Sequence, residues 1–267
     1  MVGASLSLRA QWGENRFDRY DFRTAREAPS HSTGTPDWAL DPGFEKDVFT
    51  FVRVRYNSPR WQNWITDFPD SDLNFSFRLQ QMTSLKVDPN TRVIELTDPD
   101  LSDYPWIYIV EPGYLQFTEE EVPILRKYLL NGGFLMLDDF WGEREYANIA
   151  EEMKKVFPER EPVELSIDHP VFNCVFTITK KPQIPNVRLG IASEFNGGIT
   201  WERSDAKNPD YRAIYDDKNR MMVIFCHNTD DGDGWEREGE SEYYFREFSE
   251  KKAYPLGINI VFYSMTH

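Results

Sequence analysis

Residues 118–138 specify a helix, its stop and the strand that follows, and no other stretch narrows the fold as far. Thr118 and Glu121 have the T-x-x-E spacing of a capping box, in which each residue satisfies a backbone N–H of the other. Val122, Leu125 and Leu129 then recur at intervals of three and four, so one helical face is apolar. Gly132 and Gly133 end the helix, because glycine takes the left-handed backbone of a helix C-terminus without a Cβ penalty. FLMLD (134–138) follows as a buried strand. A helix feeding directly into a buried strand is one unit of a layered α/β architecture.

The same alternation extends in both directions. FTFVRVRY (49–56) alternates apolar and polar residues and is predicted to be a strand. A polar, Trp-rich loop runs from Asn57 to Asp72. Asp72 is expected to cap a helix reaching about Leu85, with Phe75, Leu79 and Met82 on one face. RVIEL (92–96) and WIYIV (106–110) are two further strands. A helix is predicted from about Glu143 to Val156, with Tyr146, Ile149, Met153 and Val156 aligned. This pattern predicts a three-layer α/β sandwich with a central, mostly parallel sheet. Between 163 and 226, VELSI, VFTITK, VRLGI, RAIY and MMVIFC read as short strands. A last helix covers about 241–265, with Pro255 as a break or a new start. Residues 1–44 show no sustained period and are predicted to form a partly irregular N-terminal extension before a single domain at 45–267. MVGASLSLRA lacks the basic start of an intact leader; a truncated leader ending near Ala10 is the alternative reading.

Composition excludes some partners. Thirty Lys and Arg stand against 45 Asp and Glu, a net charge of −15 in 267 residues. A nucleic-acid backbone, which needs clustered positive charge, is not expected as a partner. No run of about 18 apolar residues forms a transmembrane segment. Cys174 and Cys226 lie in apolar runs and read as small buried hydrophobes; whether they pair is left open.

Ligands of open α/β sheets bind beyond the carboxyl ends of the strands. That rule selects Tyr56, then Glu111 and Gly113, then Asp138 and Asp139, then His227 and Asn228. Adjacent strand residues face opposite ways, so one of the two aspartates faces a given cleft. It either serves metal, sugar or acid–base chemistry or caps the next helix. His227 is either a site residue or a hydrogen-bonded structural one. The loop TDDGDGWEREGE (229–240) reads first as a solvated acidic segment over the cleft. Its alternative is a site for calcium or another divalent metal, with Asp231, Asp233 and Glu240 at positions 3, 5 and 12, although Thr229 replaces the first aspartate. Trp61, Trp64, Trp141 and Trp235 fall in predicted loops, where they either pack or stack on sugar rings. The expected ligand contacts are Tyr56, Trp61, Glu111, Gly113, Asp139, Trp141, Asn228 and Trp235. No zinc spacing, G-x-S-x-G elbow or P-loop occurs.

FTFVRVRYNS, the W-x-x-D-x-P-x-x-D stretch at Trp64–Asp72, LRKYLLNGGFLMLDDFWGE, HPVF and CHNTDDGDGWE together resemble the bacterial domain-of-unknown-function family numbered 4159. The resemblance runs in order from Phe49 to His267. That family is similar in turn to ThuA-like proteins and to the class I glutamine amidotransferase-like (flavodoxin-like) fold, which the resemblance implies here. In the amidotransferases, the turn after the Gly-Gly strand carries a nucleophilic cysteine, completed by a later His and Glu. Here that turn reads LDDFWG, without Cys, Ser or Thr, so a thiol-based glutaminase is not expected. By the same resemblance His227 is the counterpart of the triad histidine, with Asp138 and Asp139 across the cleft as catalytic candidates. Relatives imply an exported, periplasmic or extracellular setting. The expected function is a non-catalytic ligand-binding or assembly protein of the bacterial envelope, with a carbohydrate or an envelope protein as partner. The alternatives are a metal- or carboxylate-dependent hydrolase acting on sugars and a structural subunit of a surface assembly.

Overall fold

The computed structural model describes residues 21–40, 42–43, 47–59 and 63–267. Trp61 and the leader reading at residues 1–10 lie outside them. Seven strands make one sheet: β1 (Val52–Val54), β2 (Arg92–Ile94), β3 (Trp106–Val110), β4 (Phe134–Phe140), β5 (Val163–Glu164), β6 (Asp210–Tyr215) and β7 (Met221–His227). Their order is β2-β1-β3-β4-β7-β6-β5. The first five are parallel. β6 and β5 add an antiparallel edge. The sheet is therefore mostly parallel, as the strand–helix alternation predicts, and becomes mixed where the chain lacks a crossover helix.

The helices are α1 (Asp70–Met82), α2 (Glu121–Leu130), α3 (Gly142–Val156), α4 (Val187–Ser193), α5 (Asp231–Glu236), α6 (Glu242–Tyr244) and α7 (Tyr254–Thr266). Period-two alternation sends strand residues to two cores. Trp106, Tyr108, Phe134 and Met136 pack with Phe75 of α1, Trp235 of α5 and Leu256 of α7. Ile107, Ile109, Leu135 and Leu137 pack with Leu125 of α2 and Ile149 of α3. Both faces are covered, which gives the three layers. The connections from β1 and β3 depart in opposite directions along the sheet. A crevice therefore opens beyond the carboxyl ends of these two strands.

The capping box forms as spelled: Thr118 N donates to Glu121 Oε2 at 2.8 Å, and Glu121 N donates to Thr118 Oγ1 at 3.2 Å. Other expectations need correction. Asp72 does not cap α1, which begins at Asp70; it is buried against Arg53. VRLGI is helix α4, because Asn186 caps it by accepting from Leu189 N at 3.0 Å. VFTITK is irregular. The terminal helix passes from α6 through a π-helical stretch, Phe245–Ala253, into α7. Pro255 sits in the first turn of α7 and so marks a new start, one of the two expected alternatives. Cys174 is exposed, Cys226 is buried, and both are free thiols.

The described part of the N-terminal segment docks on the domain. Val93 N donates to Arg23 O at 2.8 Å and Ala25 N to Asn90 O at 3.2 Å, while Ala25 is fully buried. No helix among the described residues is long and apolar enough to cross a membrane.

Candidate functional site

Three carboxylates, one in the turn before α1, one just past β3 and one near the end of β4, are held in left-handed backbone. Asp67 has φ of 62°, Glu111 44° and Asp139 55°. Asn228, just past β7, has φ of 62°. Non-glycine residues rarely hold positive φ, and such strain gathers at functional sites. Asp67, Glu111 and Asp139 line one cavity of about 580 Å³ at the crevice. Trp141, Glu145, Glu202, Asp230 and Asp233 share its wall, and Arg188, Arg203 and Arg237 also line it.

Each acid is oriented by a neighbour. Trp141 Nε1 donates to Asp139 Oδ1 at 2.8 Å. Asn63 Nδ2 donates to Glu111 Oε2 at 2.5 Å. Asp230 caps α5 by accepting from Asp233 N at 2.7 Å. Asp233 accepts from Val187 N at 2.6 Å. Glu145 accepts from Trp141 N at 2.9 Å and ion-pairs with Arg203. Gly113 packs closely beside it: a Cβ there would lie 2.6 Å from Glu145 Cδ and would push that side chain aside. Asp67 is the exception: its Oδ2 is enclosed and accepts no hydrogen bond.

Carboxylate oxygens of Asp67, Asp139 and Asp230 lie within 4.8 Å of one another, and so do those of Asp67, Asp233 and Glu236. Two carboxylates at that separation repel by roughly 3 kcal/mol at an effective dielectric near 20. Burial first, and then repulsion from neighbouring carboxylates (Asp233 and Glu236 on Asp67, Glu111 and Glu202 on Asp139, Asp139 and Asp233 on Asp230), holds these three carboxyls well above the usual range. Glu111 and Glu202 are raised, chiefly by burial. Burial pushes Glu236 up to about 8, against the pull of Arg237. Arg53 draws on Asp67, but its donors are committed to Asp72, Ser71 and the carbonyls of Trp64 and Thr66. Arg237 Nε lies 3.6 Å from Asp233 Oδ1 and 2.5 Å from Glu236 Oε2, so the second group has its own counter-charge. The first group, Asp67, Asp139 and Asp230, has no ion pair among the described residues and could therefore hold a metal. Its donors are all oxygens, which suits a hard divalent ion.

The expected site divides. Asp139, Glu111, Gly113, Trp141 and Asp233 line this cavity. Asp138 faces the other way and meets Asp231 and Cys226 in a fully buried cluster. There it accepts from Tyr108 OH at 2.8 Å and from Gly232 N at 3.1 Å. Burial raises Asp138 to about 6, and burial together with the neighbouring Asp138 charge holds Asp231 well above the usual carboxylate range. His227 belongs to neither cluster. It lines a separate open pocket with Glu143, Asp205, Asp210 and Asn228. Its ring stacks on Phe140 at 5.0 Å, and burial lowers its pKa. The expected convergence of Asp138, Asp139 and His227 is therefore corrected, because β4 turns its two aspartates to opposite sides.

Four further corrections follow. Trp235 is core, 4.5 Å from the Phe75 ring, and touches no cleft. Tyr56 braces the end of β3 through its hydroxyl, 2.7 Å from Glu111 O. Asn228 holds the β4–α3 turn by accepting from Gly142 N at 2.9 Å. The calcium loop does not form, because residues 231–236 are helical. Asp231 points to Asp138, Asp233 to the cavity, and Glu240 to Arg237 at 2.9 Å. Asp67 and Asp230 are site residues that the sequence reading passed over. In the sequence Asp67 stands only within the W-x-x-D-x-P-x-x-D stretch, and Asp230 only within the acidic segment 229–240.

These features define an α/β protein with a carboxylate cleft at the point where the strand order reverses. The chain belongs to the family described as domain of unknown function (DUF4159), whose family model matches residues 50–265. No curated protein matches it.

Proposed function

We propose that the cleft binds a divalent cation through Asp67, Asp139 and Asp230, and that the protein is a metal-assisted hydrolase of hydroxyl-rich, sugar-like ligands. The observation that carries this reading is the convergence of three carboxylates, two of them on strained backbone, without a committed counter-charge. A divalent cation there would lower the pKa of a bound water and polarise a substrate oxygen. Glu111, with its raised pKa, is placed for proton transfer, and Trp141 offers a ring at the wall.

Likeness to amidotransferase-like and ThuA-like proteins supports the location. The turn that carries their nucleophile corresponds to the end of β4, where Asp139 stands. The lack of a thiol or hydroxyl in that turn favours, as the second reading, a carbohydrate-binding protein without turnover. An exported setting rests on the family resemblance alone.

The test begins with thermal melts in EDTA and then in excess magnesium, manganese or calcium. A cation at about 100 times its dissociation constant adds roughly 2.7 kcal/mol. The expected shift is lost in Asp139→Asn and Asp230→Asn and kept in His227→Ala. Chromogenic glycosides and glycan esters are then incubated with the loaded protein. Turnover that needs both the cation and Asp139 is the expected result, and binding without turnover selects the second reading. No melt shift with any cation would sink the metal site.

A further inference from the structure

A second cavity, of about 650 Å³, has the opposite character. Five of the chain's eleven lysines line it, namely Lys180, Lys181, Lys207, Lys251 and Lys252, and no Asp or Glu does. In a chain of net charge −15 this is a local reversal of sign. The lysines come from three separate segments, so the grouping is made by the fold and not by one basic run.

Their positive charge is only partly neutralised. Lys181 pairs with Glu164 at 2.8 Å, and Lys251 with Glu247. Lys180 and Lys207 are exposed and have no ion pair among the described residues, although Lys207 Nζ lies 5.9 Å from the Trp201 ring centroid. Lys252 donates to Gln183 O at 3.2 Å and sits 4.4 Å above the Phe248 ring. The charged groups acting on it are Glu247 and Lys251 from its own helix and Lys180 from the facing loop. Burial first, then the two lysines, lowers it to about 8. Thr177, Thr179 and Thr200 add hydroxyls to the wall.

We infer that this pocket binds the phosphate group of a small phosphorylated molecule. Ammonium groups act as point charges that surround a tetrahedral oxyanion. The wall holds no arginine, so recognition here rests on lysine point charges and threonine hydroxyls, as at lysine-based phosphate sites. The volume accommodates a sugar phosphate or a nucleotide, with Trp201 available to the organic part. Thr200 and Trp201 face this pocket while Glu202 and Arg203 face the acidic cleft, so one short segment forms a wall of both. The inference does not depend on metal binding in the cleft.

The probes are inorganic phosphate, pyrophosphate, a sugar phosphate and the same sugar unphosphorylated. They are titrated calorimetrically at constant ionic strength with EDTA present, so that no cation bridges phosphate to the acidic cleft. Saturable binding of the phosphorylated probes alone is expected. It should weaken on the order of tenfold or more in Lys180→Ala/Lys207→Ala, which removes two unpaired surface charges. Asp139→Asn should leave it unchanged. At pH 8 binding should take up a proton at Lys252, read as different heats in Tris and HEPES, and Lys252→Met should abolish that difference. Equal affinity in the lysine double variant, equal binding of acetate, or no saturable heat at millimolar phosphate would overturn the inference.

Discussion

Arg53 lies in an alternating strand where a polar residue would face solvent, yet it is fully buried. Its guanidinium reaches Asp72 Oδ1 and Oδ2 from Nε at 3.0 Å, and the carbonyls of Trp64 and Thr66 at 3.0 and 2.8 Å. It lies 5.2 Å from the centroid of the Tyr108 ring. The pair thus ties α1 to β1 and fixes the loop that delivers Asp67. Breaking one side of a buried pair leaves an uncompensated charge and costs about 3–5 kcal/mol. Arg53→Met should lower stability by that amount in urea denaturation. Arg53→Met/Asp72→Leu should recover much of it, and a double variant as unstable as the single one would refute this account. The side chains that sequence reading misplaced share this trait: Trp235, Asp138 and Asp231 also carry polar atoms and are fully buried. Residue type suggests a surface or a cleft, and only packing reveals which of these polar positions the covering layers bury.

Helix α2 was legible from its letters because both of its end signals are local. Thr118→Ala removes one half of the capping box. It should cost about 1 kcal/mol in the same denaturation experiment, while Glu121→Gln retains most of the box. Helix α4 was misread because Val187 and Ile191 favour strands by type. Asn186 at its start, and the carboxylate of Asp233 on Val187 N, outweigh that preference. The first of these signals is local and could have been found. The second comes from another part of the fold. The acidic run after β7 illustrates the same limit. Its spacing resembles a calcium loop, but Asp230 caps it into α5 and turns its carboxylates apart.

For the molecule as a whole, the cleft couples stability to pH and to cations. Carboxyls whose folded pKa is raised keep protons that the unfolded chain releases. Their contribution is complete below the ordinary carboxylate range and is lost as pH rises through the folded values. Asp67, Asp139 and Asp230 are raised, and Glu236 reaches about 8. In EDTA the melting temperature should therefore fall between about pH 5 and pH 8. Excess divalent cation should flatten that fall, and Asp139→Asn should melt higher than wild type in EDTA at pH 8. A flat profile in EDTA would show that these acids are not held protonated.

The sequence by itself determined the alternation of strands and helices, the mostly parallel sheet, the α2 boundaries and the strand ends near which a ligand would sit. Those properties follow from periodicity, caps and glycine stops, which act over a few residues. It also carried the family, through motifs spread in order along the chain. The tertiary structure alone decided which acids meet. Asp67 comes from the turn before α1, Asp139 from the end of β4 and Asp230 from just past β7, and their approach depends on strand order and strained backbone. The same holds for the lysine pocket, whose charges come from three segments. Like charges gather only where a fold supplies enough packing elsewhere to hold them together, and no local spacing records that balance.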